Sequence, residues 1–581
     1  MQKYKITSQK FNLSFSTELL RKIYFCGFFL LILTLFYCQI TKGEYYFQRA
    51  KNNYVRVIPL RAPRGSIVDK NGVLIAYDKA NFNISVIPHQ LKNKKDYLFK
   101  EISDYLGRDV SLINNNYNKN LKSRFSPVNI LIDIDKTTAL KLKENFGDTI
   151  LINPQPTRYY PLSYQFAHII GYVKEAASFY EKLKKYGYTP LERVGFSGIE
   201  QYYDTYLNGE DGGDLIEVNA KGKTVGFLGK QMPLRGKDIH LTVDSRIQES
   251  AWESLKGKKG AVILMDSDSG EITSLCSYPA YDPNRFIEGK NINTFLTDKE
   301  SPLLNRALQS AYPIGSIFKP ILSLAALEEK KITQEKAFFC SGQLKFEAAE
   351  FHCWSTHGEQ NLVNALAHSC NIYFYNLGLL LGPDIISHWA KKFGLDSLSG
   401  IDLPYEKEGF VPTVKWKQKT LKHNWWTGDT LNLSIGQGFM SITPLQITVA
   451  INAFANGGYL VTPRLIKKID NIDSGLSNKT PLGINNKNLK TIKEGMRGAV
   501  KFSDGTAHLL EKLNLEISGK TGTAQTKGKS HSWFVGFFPY KDKTYTICVF
   551  LENGGSSFEA VKVAYYFLRK VKENNLLDDS S

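Results

Sequence analysis

The sequence predicts an α+β protein with a single N-terminal transmembrane helix, a mixed α/β segment behind it, and a C-terminal domain in which helical layers face an antiparallel sheet. Three observations predict this. Residues Ile23 to Thr41 carry no charge over 19 positions, within the roughly 17–25 that a spanning helix needs. From Ile58 to about Arg235, short alternating runs are mixed with charged helical stretches. Beyond Arg235 come a hairpin, long helical patterns and late strands near 515–523, 531–538 and 544–552; helices kept to the faces of one antiparallel sheet read this way.

Composition sets the limits. With 581 residues, 42% hydrophobic and 22% charged, the chain is globular rather than disordered or collagen-like. At about 100–200 residues per domain, two to four folded units are expected. The net charge of +18 suits a polyanionic neighbour, either nucleic acid or a membrane surface. No phosphate-cradling loop or nucleic-acid motif accompanies it, so a membrane is expected and no nucleic acid. Seven cysteines are too few for a disulfide-built scaffold.

The elements follow in order. Lys3, Lys5, Lys10, Arg21 and Lys22 precede the apolar run against one acid, Glu18. The positive-inside rule then makes residues 1–22 a cytoplasmic tail, 23–41 the transmembrane helix, and the rest extracytoplasmic. A cleaved signal peptide is the weaker reading, because Gln39-Ile40-Thr41-Lys42-Gly43 is a poor cleavage site. Residues 42–235 form a first extracytoplasmic segment. In it, Asn83–Ile87 alternates like a strand, Val128–Ile132 is strand-like, and the Asn- and Lys-rich stretch 113–123 is expected as a solvated loop. Residues 236–575 form the second domain. Asp238–Val243 reads as a strand, Asp244-Ser245 as a cap and Arg246–Lys256 as a helix. Gly260–Met265 and Glu271–Leu275 read as a hairpin around the turn Asp268–Gly270. Residues 576–581 are expected as a flexible tail.

Three short motifs carry the chemistry. In Tyr312-Pro313-Ile314-Gly315-Ser316-Ile317-Phe318-Lys319-Pro320, Ser316 falls at a helix start, where unpaired N–H groups and the dipole favour an alkoxide. Lys319 is three residues on, the spacing at which two side chains share a face and can touch. Burial and the dipole push such a lysine toward its neutral, basic form. The second motif is Ser369-Cys370-Asn371; alternation in a loop turns Ser369 and Asn371 to one side and Cys370 inward. The third is Lys520-Thr521-Gly522-Thr523, in which Gly522 permits close backbone approach and Lys520, Thr521 and Thr523 offer a charge and hydroxyls for a carboxylate. Each alone reads as an ordinary cap or turn. Their order, their helix and strand settings and the anchor argue for them jointly.

This combination resembles the penicillin-recognising serine acyltransferases, and specifically the class B penicillin-binding proteins, over nearly the whole chain. The family's pedestal motifs match Arg64–Gly72, Arg158-Tyr159-Tyr160-Pro161 and Gly195–Glu200 with Tyr203, Asp204 and Leu207. Tyr278–Asn284, Gly428-Asp429-Thr430 and Ser434–Gly438 with Thr443-Pro444 are similar to its other catalytic-domain segments. Phe351-His352-Cys353-Trp354, His357-Gly358 and the Ser-Cys-Asn triplet are most similar to the elongation branch, which more often has Asp where this chain has Asn371.

The resemblance implies a pedestal over 42–235, a transpeptidase domain over 236–575, and D,D-transpeptidation of peptidoglycan stem peptides ending in D-Ala-D-Ala. Ser316 would be the nucleophile and Lys319 its base, with Ser369 and Lys520 relaying a proton. Asn371, Thr521, Gly522 and Thr523 would bind substrate. β-Lactams would acylate Ser316. The implied partners are a polytopic SEDS-type glycosyltransferase and the elongation complex. Rival readings are a division-type transpeptidase, a D,D-carboxypeptidase and a penicillin-binding sensor without turnover. Some members of the elongation branch carry zinc near the nucleophile, and Cys340, Cys353, His357 and Cys370 match where their ligands fall. Four such ligands suit one structural zinc. A Cys340–Cys353 disulfide and buried thiols are the alternatives. Cys276 and Cys548 are expected in the core and Cys26 and Cys38 in the anchor. Trp425-Trp426, His531 and Trp533 are expected to be structural.

Overall fold

Residues 13–91, 94–121, 124, 127–175, 193–219, 224–288, 292–346 and 349–578 are described by a computed structural model. Contacts divide the chain into two units. One comprises Met1–Ala62, Ala80–Pro156 and Glu210–Leu234; the other comprises Pro63–Lys79, Thr157–Gly209 and Arg235–Ser581.

In the first unit, α1 (Leu13–Phe36) runs through a wider turn, Tyr37–Thr41, into α2 (Gly43–Tyr54). Thr17–Thr41 is long and apolar enough to cross a membrane and has no buried residue. The expected span, 23–41, lies inside it; residues 1–12 of the expected tail fall outside the described residues. β1 (Val55–Leu60) pairs antiparallel with β2 (Gly212–Val218), which pairs with β3 (Thr224–Gln231). The expected loop at 113–123 is instead largely helix: α3 spans Val110–Asn120, capped by Asp109, which accepts from Ser111 N at 2.8 Å. Ile113 and Tyr117, one turn apart, are buried against Phe99 and Ile130. Two apolar residues at i and i+4 outweigh a run of poor helix formers.

The second unit is built on a five-stranded sheet. Its strands are β4 (Gly260–Asp266), β5 (Ile272–Tyr278), β6 (Ser518–Ala524), β7 (His531–Tyr540) and β8 (Lys543–Leu551). They lie antiparallel in the order β5-β4-β8-β7-β6. Every residue of β4 is buried because both faces are covered. Val262 and Leu264 pack with α4 (Ser245–Leu255) and with the helix at Ser557–Glu573 that closes the chain. Ala261, Ile263 and Met265 join the core on the other face, the period-two split expected of a strand between two layers. That face is covered by α5 (Lys319–Glu328), α6 (Asn371–Lys392, broken at Gly382, φ 73°), α7 (Pro444–Ala455) and α8 (Asn486–Lys501). The closing helix α9 spans Ser557–Glu573. Asp244 caps α4 as expected, accepting from Arg246 N at 2.9 Å.

Two further features belong to this unit. Leu576 and Leu577 are buried and Tyr540 Oη donates to Asp578 at 2.9 Å, so the expected flexible tail is held to at least 578; 579–581 lie outside the described residues. Arg64 Nη2 pairs with Glu200 and Asp204, both at 2.8 Å, and Arg158 pairs with Glu200 at 2.6 Å and Asp78 at 3.3 Å, all of them buried or nearly so. Burial works to raise Glu200, and the guanidiniums of Arg158 and Arg64 override it, holding the carboxylate below its ordinary value. The network ties Pro63–Lys79 to Thr157–Gly209.

Candidate active site

The start of α5 is held from three sides. Gly315–Phe318 forms a tight 3-10 turn that runs directly into α5, with Pro320 in the first helical turn, where a missing N–H costs little. Gly315 sits at φ 58° and donates its N–H to Gly436 O at 2.9 Å. Trp533 Nε1 donates to Pro313 O at 3.1 Å. Ile314, Ile317 and Phe318 are buried beneath the turn, leaving Ser316 half-buried at its surface.

β6 passes beside this turn. A Cβ at Gly315 would lie 3.0 Å from Thr523 O, and one at Gly522 would lie 2.8 Å from Ile314 O. Glycine at 522 is therefore required for β6 and the nucleophile turn to lie this close. β6 is the edge strand of its sheet, so one side of its backbone is left unpaired and can receive an extended chain.

Lys319 is fully buried. Its Nζ donates to Ser369 O at 2.8 Å, Ser369 Oγ at 3.2 Å and Asn371 Oδ1 at 2.7 Å, and lies 5.0 Å from the centre of the Phe374 ring. The expected direct touch between Lys319 and Ser316 is not what is found: among the described residues no hydrogen bond joins them. The reason is that an ammonium has three donors and the Ser369–Asn371 loop supplies three acceptors. Burial pulls Lys319 down to about 8, which brings the free amine within reach near neutrality. Ser369 holds φ 55°, a left-handed conformation that is uncommon for serine; it turns both its carbonyl and its hydroxyl to Lys319. Cys370 is buried and opens α6, as expected. Asn371 Nδ2 donates to His352 O at 3.2 Å.

Lys520 is also fully buried, and its Nζ donates to Thr521 O at 3.2 Å. Burial, then the charge of Lys319, push it well below the ordinary lysine value. A carboxylate beside it is the ligand that would restore its charge. Thr521 Oγ1 donates to Thr506 Oγ1 at 2.8 Å, and Thr523 Oγ1 accepts from Ser557 N at 3.0 Å. The three motifs thus converge. Thr506 and Phe374 were not legible in the sequence, since neither stands in a motif and only packing brings them in.

Cys340, Cys353, His357 and Cys370 also come together, with their ligand atoms all within 4.8 Å of one another. His357 Nδ1 lies 3.5 Å from both Cys340 Sγ and Cys353 Sγ. That is the edge of a tetrahedron with metal–sulfur and metal–nitrogen bonds of about 2.3 and 2.0–2.1 Å. The seven cysteines are all free, so Cys340 and Cys353 are not joined. Sharing a proton with Cys370 lowers Cys353, while the same contact and burial raise Cys370. Cys276 and Cys548 are buried in β5 and β8. Trp425 Nε1 donates to Thr430 Oγ1 at 2.8 Å and His531 accepts from Asn553 N at 3.0 Å, whereas Trp426 is exposed.

Residues 260–571 match the family described as penicillin binding protein transpeptidase domain, and residues 59–241 match the penicillin-binding protein dimerisation domain. The chain belongs to the penicillin-binding protein transpeptidase family. Within it, the peptidoglycan D,D-transpeptidase MrdA of Haemophilus influenzae is 31% identical over 583 residues, covering 93% of this chain and 89% of that protein. Among solved structures, penicillin-binding protein 2 (PBP2) of Helicobacter pylori in complex with MreC superposes with a TM-score of 0.80 at 28% identity, covering 90% of this chain and all of that one. A chain of a peptidoglycan synthase complex that couples polymerization and crosslinking gives 0.72 at 28% identity, covering 97% and 99%.

Proposed function

We propose that the protein is a peptidoglycan D,D-transpeptidase of the elongation type, a serine acyltransferase that also binds penicillin. The observation that carries this reading is the convergence of Ser316, a buried Lys319 held by Ser369 and Asn371, and a buried Lys520 on an edge strand. Lys319, as the free amine, takes the Ser316 hydroxyl proton as the oxygen adds to the penultimate carbonyl of a D-Ala-D-Ala stem. The N–H groups of Ser316 and Thr523 receive the oxyanion, a contribution of about 2.7–4 kcal/mol per donor in such sites. The carbon–nitrogen bond to the terminal D-Ala breaks, and Ser369 with Lys520 passes a proton to the leaving nitrogen. Lys520, Thr521 and Thr523 hold the terminal carboxylate, Gly522 lets the stem lie along β6, and Asn371 binds a stem amide. An amine from a second stem then attacks the ester and releases Ser316.

Residues 42–235 act as a pedestal and 236–575 as the transpeptidase domain. The N-terminus lies in the cytoplasm and the catalytic domain on the periplasmic side of the inner membrane, beside a SEDS-type glycosyltransferase of the elongation complex. Cys340, Cys353, His357 and Cys370 fit one zinc ion by donor set and by the 3.5 Å sulfur–nitrogen separations. Zinc, when bound, supplies a rigid cross-link and positive charge for thiolates. Cys370, between Ser369 and Asn371, would carry that rigidity to the groups that hold Lys319. The test is the full chain with pentapeptide stems, with and without an acceptor amine. Crosslinked product is expected. Release of D-Ala alone would make it a carboxypeptidase, and neither product a sensor.

A further inference from the structure

The β2–β3 hairpin carries an apolar surface that acyl transfer does not use. Val225, Phe227 and Leu228 are 57%, 64% and 51% exposed. Alternation along a strand would turn only one of Phe227 and Leu228 outward. The pairing slips between Leu215, opposite Gly229, and Ile216, opposite Phe227. Leu228 is therefore the extra residue of a β-bulge, and the bulge leaves both side chains exposed. Bulges re-aim side chains and are built features rather than defects.

Chain continuity and register place this surface. The membrane span ends at Thr41, and α2, 12 residues long, leads straight into β1; at 1.5 Å per residue it reaches at most about 18 Å. Val55, the first residue of β1, lies opposite Glu217, and Val218 lies opposite Thr224. The β2–β3 turn is thus at the end of the sheet where the chain arrives from the membrane. Phe227 is across from Ile216, itself across from Arg56. Leu234, also apolar and exposed, bridges Glu210 beyond the opposite end, seven residues or about 23 Å along the strand direction. α2 contributes exposed Tyr45 and Phe47, with Lys42 and Arg49 at 5.8 and 5.3 Å from the centre of the Tyr45 ring. Aromatic rings beside basic side chains, directly after a span, are the composition of a membrane–water interface.

We infer that α2 and the bulged hairpin lie on the bilayer surface, with Val225, Phe227 and Leu228 set among the headgroups of anionic phospholipid. This rests on α1 spanning the membrane, not on the chemistry at Ser316. The experiment puts p-benzoylphenylalanine in place of Phe227, Val225 or Leu234 in the full chain, reconstituted in bilayers of phosphatidylglycerol and phosphatidylethanolamine. Illumination and mass analysis then identify what each position attaches to, with β-lactam labelling of Ser316 reporting that each variant is folded. Lipid adducts at Phe227 and Val225 should exceed those at Leu234 at least tenfold. Equal yields at the three positions would overturn the inference. So would a protein adduct in place of lipid when the Phe227 variant is illuminated in native membranes.

Discussion

At Lys319, burial and nearby charge pull in opposite directions. Loss of water favours the free amine, and the sulfurs of Cys353 and Cys370 favour the ammonium. Burial prevails, leaving the group near 8. Because the neutral form is the base, acylation of Ser316 by a β-lactam should rise about tenfold per pH unit between 6 and 7 and level off above about 8. Acylation rates followed from pH 6 to 9 check this; a flat profile excludes Lys319 as proton acceptor. Ser316→Ala should abolish labelling by a fluorescent penicillin, with intact mass spectrometry as the readout. At Cys370, replacement by Ser should reduce bound zinc from one per chain to well below one; a native protein that purifies without metal under chelator-free conditions counts against the site. Ser316, Lys319 and Lys520 were readable because their motifs are local. What Lys319 touches was not, since the Ser369–Asn371 loop is 50 residues away in sequence and meets it only through packing.

Among the elements, the turn that opens α5 depends on a second loop. The Gly436 carbonyl accepts from Gly315 N, and a Cβ at Gly436 would lie 2.2 Å from Gly315 O, at φ 69°. Gly436→Ala should therefore displace the nucleophile turn and slow β-lactam acylation by at least a hundredfold, while the far-ultraviolet circular dichroism stays that of a folded chain. An unchanged acylation rate would show that the loop tolerates the change. Ser434–Gly438 entered the sequence reading only through the resemblance. Four of the five strands of the central sheet were legible from their apolar runs, whereas β6, Ser518-Gly519-Lys520-Thr521-Gly522-Thr523-Ala524, has no such run and stood out only by its motif. The stretch 113–123 was misread because its asparagines and lysines mask Ile113 and Tyr117, whose spacing carries the helix.

For the whole molecule, the buried network of Arg64, Arg158, Glu200, Asp204 and Asp78 holds distant stretches together. Removing one partner of a buried pair leaves an uncompensated charge and typically costs about 3–5 kcal/mol. Glu200→Gln should destabilise the chain by that order in urea unfolding; a loss under about 1 kcal/mol would show that the network is dispensable. The sequence divides near residue 235, where its texture changes, because composition reports local pattern and not which stretches pack together. Contacts instead give Pro63–Lys79 and Thr157–Gly209 to the same unit as Ser316. The transferase half is consequently not a cassette: no single cut in the chain frees it, and a graft beginning at 236 would leave behind two pieces of the body it is meant to transplant.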